Sequence, residues 1–372
     1  MSDNTRAGPR MTWIGVTDRN SAWFSLEGPA GAPAAAESFP PDSLLPRGTL
    51  LVETRLSPDN RPQTLLAFRR SHPWSGTFSL QALPGGSVVL IEAQGDDTRT
   101  AILPCPYNDR TDVVRLTYSW DAPGRTGRLS IERPYPNSTH SVDLPNSRPM
   151  VLDDLREISL RRGQTEMDRE VTFYAVSDRI EPVAPMPGLT SQTPILTSMG
   201  ETPVHRIRRG DVVITDRGEQ VPVLQVVRRT VPAKGSFHPI RLRAGYFGLT
   251  RDIAVSPNQK LVMRGSDVEY MFGREAVLVP ARHLVNNVSA FWAKGPAMVT
   301  YYQVLLPGHE AVIASGCALS SLLIGRIRRK PDALAASVLA GFDRNRLPEH
   351  AQPAWPILKP FEAVTLASSR AA

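Results

Sequence analysis

The sequence predicts a mostly β protein: an antiparallel β-sandwich in the first half, a second all-β domain after it, and a short helical and proline-rich tail. Short apolar segments with alternating polar residues recur along most of the 372 residues, which is the pattern of half-buried strands. Glycine, proline, aspartate and asparagine separate these segments, and such residues favour tight turns. A chain of this length is expected to fold as two domains.

Residues 11–180 carry the strands of the predicted sandwich. Regular short strands with glycine and proline turns, and no segment with the spacing of a long helix, favour an antiparallel sandwich. The hairpin between 115–120 and 128–132 resembles the back of a concanavalin-like or laminin-G-like jelly roll. We therefore predict a jelly-roll-like, candidate ligand-binding domain. Its strands are predicted at 11–16, 50–55, 64–68, 77–80, 87–91, 113–120 and 128–132.

Sandwiches of this kind often bind sugars by stacking an aromatic ring on a pyranose. Trp74, Tyr107 and Trp120 are the candidate stacking residues, with Asn108 or Asp109 as a polar partner. The alternative role for Trp120 is that of a core aromatic residue. A glycosidase is disfavoured, because that chemistry needs two carboxyl groups facing each other and no such pair is evident in the sequence.

A proline-rich stretch at 181–187 separates the two β-rich halves. Pro182, Pro185 and Pro187 alternate there with small residues, a composition typical of a stiff, extended linker. A domain boundary is therefore expected in this stretch. Beyond it, 276–285 is predicted to be a strand running into a helical turn. The strand at 299–306 is expected to pair with 311–314.

Residues 326–372 form the predicted helical and extended tail. Apolar residues at helical spacing predict helices at 320–329 and 331–339. The last four prolines of the chain then predict an extended strap that packs on a domain. The predicted anchors of this strap are Trp355, Leu358 and Phe361.

Composition excludes several classes of function. The formal charge of +7 is spread along the chain without long basic runs, so nucleic acid is not an expected partner. Cys105 and Cys317 form neither a disulfide framework nor a metal spacing, and no cofactor is expected. Residues 1–36 lack the apolar core of a signal peptide, and no apolar run is long enough to span a membrane. The compartment stays open between the cytoplasm and export by a C-terminal signal.

The most informative stretch is Met-Pro-Gly-Leu-Thr-Ser-Gln-Thr-Pro-Ile-Leu-Thr-Ser-Met-Gly at 186–200. Together with a Pro-Val step and a Gly-Asp-Val-Val-Ile-Thr segment at 210–215, it resembles the opening of a Hint domain in its bacterial form. Hint is the self-processing fold shared by Hedgehog C-terminal domains and inteins. The resemblance implies a Hint-like domain over 188–325. The matching residues are Thr190, Thr193, Ile195, Thr197, Gly200, Gly210, Asp211 and Thr215.

The same resemblance implies where the chemistry of the family would lie. In the family, a cysteine attacks the carbonyl just before it and turns an amide into a thioester, because thiolate is strongly nucleophilic. That position is Gly188 here, and the bond it would attack is Pro187–Gly188. A histidine in a Ser-Pro-x-His block then protonates the departing nitrogen. This block begins at Ser256, and its histidine position is Gln259.

A third block of the family, Tyr-Tyr-His-Leu-Leu-Leu-x-x-His-Glu, corresponds to 301–310, where the first histidine position is Gln303. The second histidine is kept as His309. With Glu310 it lacks a second histidine at helical spacing, so no metal is expected. No cyclising asparagine follows. Cys317 lies nearby as a displaced nucleophile or, in the other interpretation, as a small buried apolar residue.

Three functional hypotheses follow from these residues. In the first, the Hint-type domain has lost self-processing and the protein is not an enzyme but a binding or structural module, whose partner is an unknown protein or a saccharide. In the second, slow autoproteolysis persists near residue 188 through an N-to-O acyl shift by the hydroxyl of Thr190 or Ser191. In the third, the first half is a carbohydrate-binding lectin.

Overall fold

The computed structural model describes residues 12–26, 40, 43–56, 61–72, 74–104, 113–135 and 138–371. The chain divides into two compact units, Met1–Val183 and Ala184–Ala372. Both are built mainly of antiparallel strands, which confirms the predicted mostly β class. No helix in the described ranges is long and apolar enough to cross a membrane.

The first unit is a β-sandwich with one short helix. A seven-stranded sheet has the order β11-β10-β9-β4-β14-β1-β2, a five-stranded sheet has the order β13-β5-β6-β7-β8, and β3 pairs with β12. Its elements are β1 (Trp13–Asp18), β2 (Ala22–Phe24), β3 (Leu44–Leu45), β4 (Arg47–Arg55), β5 (Gln63–Arg70), β6 (Gly76–Ala82), β7 (Val88–Gln94), β8 (Asp97–Leu103), β9 (Val113–Asp121), β10 (Thr126–Arg133), β11 (Ser138–Pro145), β12 (Met150–Val151), α1 (Leu152–Leu160), β13 (Gln164–Met167) and β14 (Val171–Ser177).

Alternation along the strands explains the core of the sandwich. In the central strand β9, Leu116, Tyr118 and Trp120 are buried on one face, as period-two alternation requires. Phe78 of the opposite sheet packs on Tyr118, with ring centroids 6.1 Å apart. All seven strands predicted for this half are present. Helix α1 was not predicted, although its buried residues Leu152, Leu155 and Ile158 recur every three residues.

The second unit contains two further antiparallel sheets. One has the order β20-β26-β15-β22-β21-β25; the other has the order β19-β18-β16-β27-β28-β23-β24, with β17 beside β16. Its elements are β15 (Leu189–Thr190), β16 (Pro194–Thr197), β17 (Gly200–Pro203), β18 (Val212–Ile214), β19 (Gln220–Pro222), β20 (Gln225–Pro232), β21 (Ile240–Leu242), β22 (Ile253–Val255), β23 (Lys260–Arg264), α2 (Ser266–Phe272), β24 (Ala276–Pro280), β25 (Ala290–Trp292), β26 (Met298–Leu305), β27 (Ala311–Ala314), β28 (Cys317–Ser320), α3 (Pro331–Ala335) and α4 (Pro360–Ala371).

Two local predictions for this unit have opposite outcomes. The strand running into a helical turn at 276–285 is confirmed, because β24 leads into a 3-10 turn at Ala281–Leu284. The expected hairpin of 299–306 with 311–314 is wrong. Strand β27 pairs instead with β28 and β16, which belong to the other sheet. The chain therefore changes sheets after β26, whereas the sequence predicted a simple reversal.

The tail differs from its prediction in its helices. Residues 320–329 are not a continuous helix, and only Pro331–Ala335 of the second predicted segment is helical. The strap itself is present: the N–H of Leu358 donates to the carbonyl of Leu278 at 3.0 Å, and Leu358 is buried. It ends in α4, which was not predicted. Phe361, a predicted anchor, is 67% exposed, so that assignment is wrong.

Candidate functional site

Gly188, Ser256, Gln259 and Gln303 meet at one point in the second unit. The N–H of Ser256 donates to the carbonyl of Gly188 at 2.8 Å. The Nε2 of Gln303 donates to the Oε1 of Gln259 at 3.0 Å and to the carbonyl of Ser320 at 2.7 Å. The Nε2 of Gln259 donates to the same carbonyl at 3.0 Å. We call these five residues the amide cluster.

Strand register brings these positions together. Leu189 of the short strand β15 pairs with Val255 of β22 on one side and with Tyr302 of β26 on the other. Because both pairings are antiparallel, Gly188 lies opposite Ser256 on one side and Gln303 on the other. Residues separated by more than a hundred positions in the chain become neighbours because β15 is a central strand of its sheet.

Gly188 is held against Gln259. A Cβ atom added at Gly188 would lie 2.0 Å from the Oε1 of Gln259 and 3.1 Å from its Cβ. The backbone of Gly188 is not in the left-handed region. The constraint on this glycine is therefore close approach, not backbone conformation. The amide of Gln259 occupies the space that a side chain at 188 would need.

The amide cluster is buried, and its polar side chains are amides and hydroxyls. Ser256, Gln259 and Gln303 are each 2–3% exposed. Among the described residues, the Oγ of Ser256 and the Oε1 of Gln303 have no hydrogen-bond partner. Primary amides donate and accept hydrogen bonds, but they are neither protonated nor deprotonated near neutral pH, so they do not act as general acids or bases. The arrangement binds its own backbone and offers no group for proton transfer.

The two fallback nucleophiles lie next to the cluster. The Oγ1 of Thr190 donates to the carbonyl of Ala254 at 2.8 Å and lies 3.3 Å from the Oγ1 of Thr193. His205 is the imidazole beside Ser191, but its Nδ1 contacts the main-chain carbonyl of Ser191 at 2.8 Å. The Thr190 hydroxyl is therefore bound to the backbone of the neighbouring strand.

Cys317 is not available as a nucleophile. It is 1% exposed in β28, and burial raises the pKa of its thiol to about 12. A thiol with that pKa stays protonated at neutral pH, and the thiolate is the reactive form. The interpretation of Cys317 as a small buried apolar residue fits this environment.

A separate buried group surrounds His309. Its Nδ1 accepts a hydrogen bond from the N–H of Ala354 at 2.9 Å, and its ring centroid lies 6.1 Å from that of His350. Burial, and then the charges of Lys260 and His350, lower the pKa of His309 to about 3. Within the described part of the chain, no group of three or more His, Cys, Asp or Glu residues could hold a metal ion.

The buried imidazole predicts acid sensitivity. Between about pH 6.5 and the folded pKa of about 3, the unfolded chain binds a proton at His309 that the folded chain does not. The contribution of His309 to the free energy of unfolding is therefore fully present above about pH 6.5 and decreases as the pH falls. From about pH 7 to about pH 4.5 this residue should remove roughly 2–3 kcal/mol from the free energy of unfolding.

Urea unfolding at the two pH values measures this loss. His309→Asn, which keeps an acceptor for the N–H of Ala354, serves as the matched variant. The parent should lose more stability on acidification than the variant, by about the stated amount. Equal losses in both proteins would show that His309 does not stay neutral in the folded state.

The aromatic candidates of the first unit have three different outcomes. Trp74 is 40% exposed, and the guanidinium of Arg70 lies over its ring at 4.9 Å. Tyr107, together with Asn108 and Asp109, lies outside the described residues. Trp120 is fully buried and donates from its Nε1 to the carbonyl of Leu45 at 2.9 Å. The prediction that Trp120 stacks on a sugar is wrong, because its ring is a core residue.

The second unit thus brings positions 188, 256 and 303 together around its central strand β15. Residues 187–326 match the family described as Hint domain, and this part of the chain is a Hint-type domain. No curated protein is a match for the chain.

Three solved structures are similar to parts of the chain. The MchDnaB-1 intein is 14% identical, with 36% of this chain and 98% of that chain covered and a TM-score of 0.26. The bacterial intein-like domain from Clostridium thermocellum is 19% identical, with 37% and 99% covered and a TM-score of 0.25. The Ruminococcus gnavus IT-sialidase CBM40 is 14% identical, with 46% and 90% covered and a TM-score of 0.29.

Proposed function

We propose that residues 188–325 keep the Hint scaffold without its self-processing activity, and that the protein acts as a binding or structural module for a protein or saccharide partner. One observation carries the proposal. Close to the point where β15, β22 and β26 meet, Gln303 donates a hydrogen bond to Gln259, and residue 188 is a glycine.

The chemistry of the proposed loss follows from the residue types. Cleavage before residue 188 needs a nucleophile on that residue, and glycine has no side chain. It also needs an acid for the departing nitrogen, and the Nε2 of Gln259 is instead bound to the carbonyl of Ser320. Nucleophile and acid act as one unit in such sites, so losing both removes nearly all of the acceleration.

The contacts of Thr190 weigh against residual cleavage. An N-to-O shift at Thr190 would need its hydroxyl free to attack and a base to remove the proton. That hydroxyl donates to the carbonyl of Ala254, which is not a useful base. The imidazole nearest Ser191 contacts its main-chain oxygen. These contacts favour turn and strand roles for both residues.

Intact mass spectrometry tests the proposal. The purified full chain is incubated at neutral pH alone, with dithiothreitol and with hydroxylamine, since the two additives intercept thioesters and esters. We expect one species of full length under all three conditions. Fragments that end at Pro187 or begin at Gly188 would contradict the loss, and a cut before Thr190 or Ser191 would establish residual autoproteolysis.

A further inference from the structure

A groove opens at one edge of the first unit, between the outermost strands of its two sheets. Strand β8 is the edge of the five-stranded sheet and β11 is the edge of the seven-stranded sheet. The space between them measures about 460 Å³, which lies within the range of roughly 300–1,000 Å³ typical of small-molecule sites. It is lined by β8 side chains from 99–102 and by residues 142–147 of β11 and the following turn, with Glu92 behind them.

The floor of the groove carries a donor and an acceptor side by side. Glu92 of β7 and Arg99 of β8 are direct partners in the strand register. Glu92 is 5% exposed, and its Oε2 accepts a hydrogen bond from the hydroxyl of Tyr118 at 3.2 Å. Within the described residues, the Oε1 of Glu92 and the Nη1 of Arg99 are buried without a partner. Buried polar atoms normally have partners, so these two atoms mark a place for a ligand.

The surroundings favour a ligand without strong net charge. Arg148 pairs with Asp97, and the Nε of Arg128 donates to Asp143 at 3.0 Å. The Nη2 of Arg99 also lies 3.9 Å from the Asp97 carboxylate. Glu92 and Arg99 therefore add one charge of each sign to the groove. Burial raises the pKa of Glu92, while the Tyr118 bond and the nearby arginines oppose that rise. A cation would be repelled by Arg99, and an anion would be repelled by Glu92.

The rim supplies an apolar surface. Ile102 is 57% exposed on β8, and Val142 and Pro145 line the opposite side. An apolar rim around a few convergent polar groups is the usual composition of a small-molecule site. A sugar ring presents both kinds of surface, since its C–H face is apolar and its edge carries hydroxyls.

We propose that this groove binds a saccharide, with two adjacent hydroxyls shared between the Oε1 of Glu92 and the Nη1 of Arg99. One hydroxyl donates to the carboxyl oxygen and its neighbour accepts from the guanidinium. The C–H face of the ring lies on Val142, which lines the groove from β11. The site is distinct from Trp74, which does not line the groove, and it does not depend on the chemistry of the second unit.

The test is an array of immobilised neutral and acidic oligosaccharides, probed with the full chain. A second copy of the array is treated with periodate, which cleaves adjacent diols. We expect binding to one or more saccharides that is lost after periodate. Free oligosaccharide of the bound type is then titrated into the parent, Arg99→Met and Glu92→Gln. Each substitution should weaken binding by at least about tenfold, because Arg99→Met removes a charged donor and Glu92→Gln replaces a charged acceptor by a neutral one.

Two further variants test the apolar side of the groove and control for the loss of charge. Val142→Asp places a charge on the apolar side of the groove, at a position that is not fully buried, and should weaken binding. Arg69→Met removes the same charge from an exposed position of β5, three strands from β8, and should bind like the parent. The proposal is overturned if no saccharide is bound, if periodate has no effect, or if Trp74→Ala abolishes binding while Arg99→Met does not.

Discussion

Gly188→Cys combined with Gln259→His and Gln303→His is expected to restore cleavage of the bond after Pro187. The three substitutions place a thiol and two imidazoles where the amide cluster now lies. The register of β15 against β22 and β26 already brings these positions together. A Cβ at 188 would still lie 3.1 Å from the Cβ of residue 259, so a shift of a few tenths of an ångström is expected there. The histidines should account for roughly 10²–10⁴-fold of the rate, the usual contribution of a positioned general acid.

The measurement is intact mass after incubation with and without dithiothreitol, because a thioester at residue 188 is released by thiols. Gly188→Ala with the same two histidines is the matched control, since it has the same bulk at Cβ but no sulfur. Gly188→Cys alone should stay whole and should be less stable than the parent, because its Cβ meets the Oε1 of Gln259 at 2.0 Å. A triple variant that folds but is not cleaved would show that cleavage needs further residues besides those at 188, 259 and 303.

The meeting of positions 188, 259 and 303 could be anticipated from the order of motifs in the sequence. The hydrogen bonds that define the site could not be anticipated in this way. The bond from Gln303 to the carbonyl of Ser320 depends on β28 lying behind the cluster. Strand β28 pairs with β27, which the sequence placed in the wrong sheet. Sequence pattern identifies strands by alternation, but the partner of each strand is set by contacts distant in the chain.

The same limit explains the helices. Leu152, Leu155 and Ile158 carry a helical spacing over only nine residues, within a half of the chain dominated by strands. Helix α4 begins at Pro360, one of the four prolines that predicted an extended strap. Proline is also favourable in the first turn of a helix. In both places the choice was decided by what the segment packs against.

The groove of the first unit was missed for a different reason. Glu92 and Arg99 are ordinary residues of two strands, seven positions apart and without any motif. They become a site because a hairpin places them opposite each other at the open edge of the sandwich. The residues that a sequence pattern marks as possible sugar-stacking groups are aromatic. Of these candidates, the structure describes Trp74 as exposed and Trp120 as buried.

The tail beyond residue 326 lies outside the part of the chain that matches the Hint family, yet it belongs to the core of the second unit. Leu358, Ala363 and Leu366 join the same buried cluster as the strands around the amide cluster. Helix α4 packs on the 3-10 turn at Ala281–Leu284. Arg370 near the end of α4 donates to Asp267 at 2.7 Å. The strap and helix therefore stabilise the sheet that carries Gln259.

Leu366→Ala is expected to lower the free energy of unfolding of the second unit by about 2–5 kcal/mol, the usual cost of emptying a buried leucine site. Phe361→Ala, on the same helix, removes a larger side chain that is 67% exposed, and should change stability by less than about 0.5 kcal/mol. Hydrogen exchange resolves the two units: peptides from 189–326 should lose protection in Leu366→Ala, while those from 44–56 should not. Equal effects of the two substitutions would mean that α4 lies loosely on the surface, and that the Hint-type core is complete without the tail.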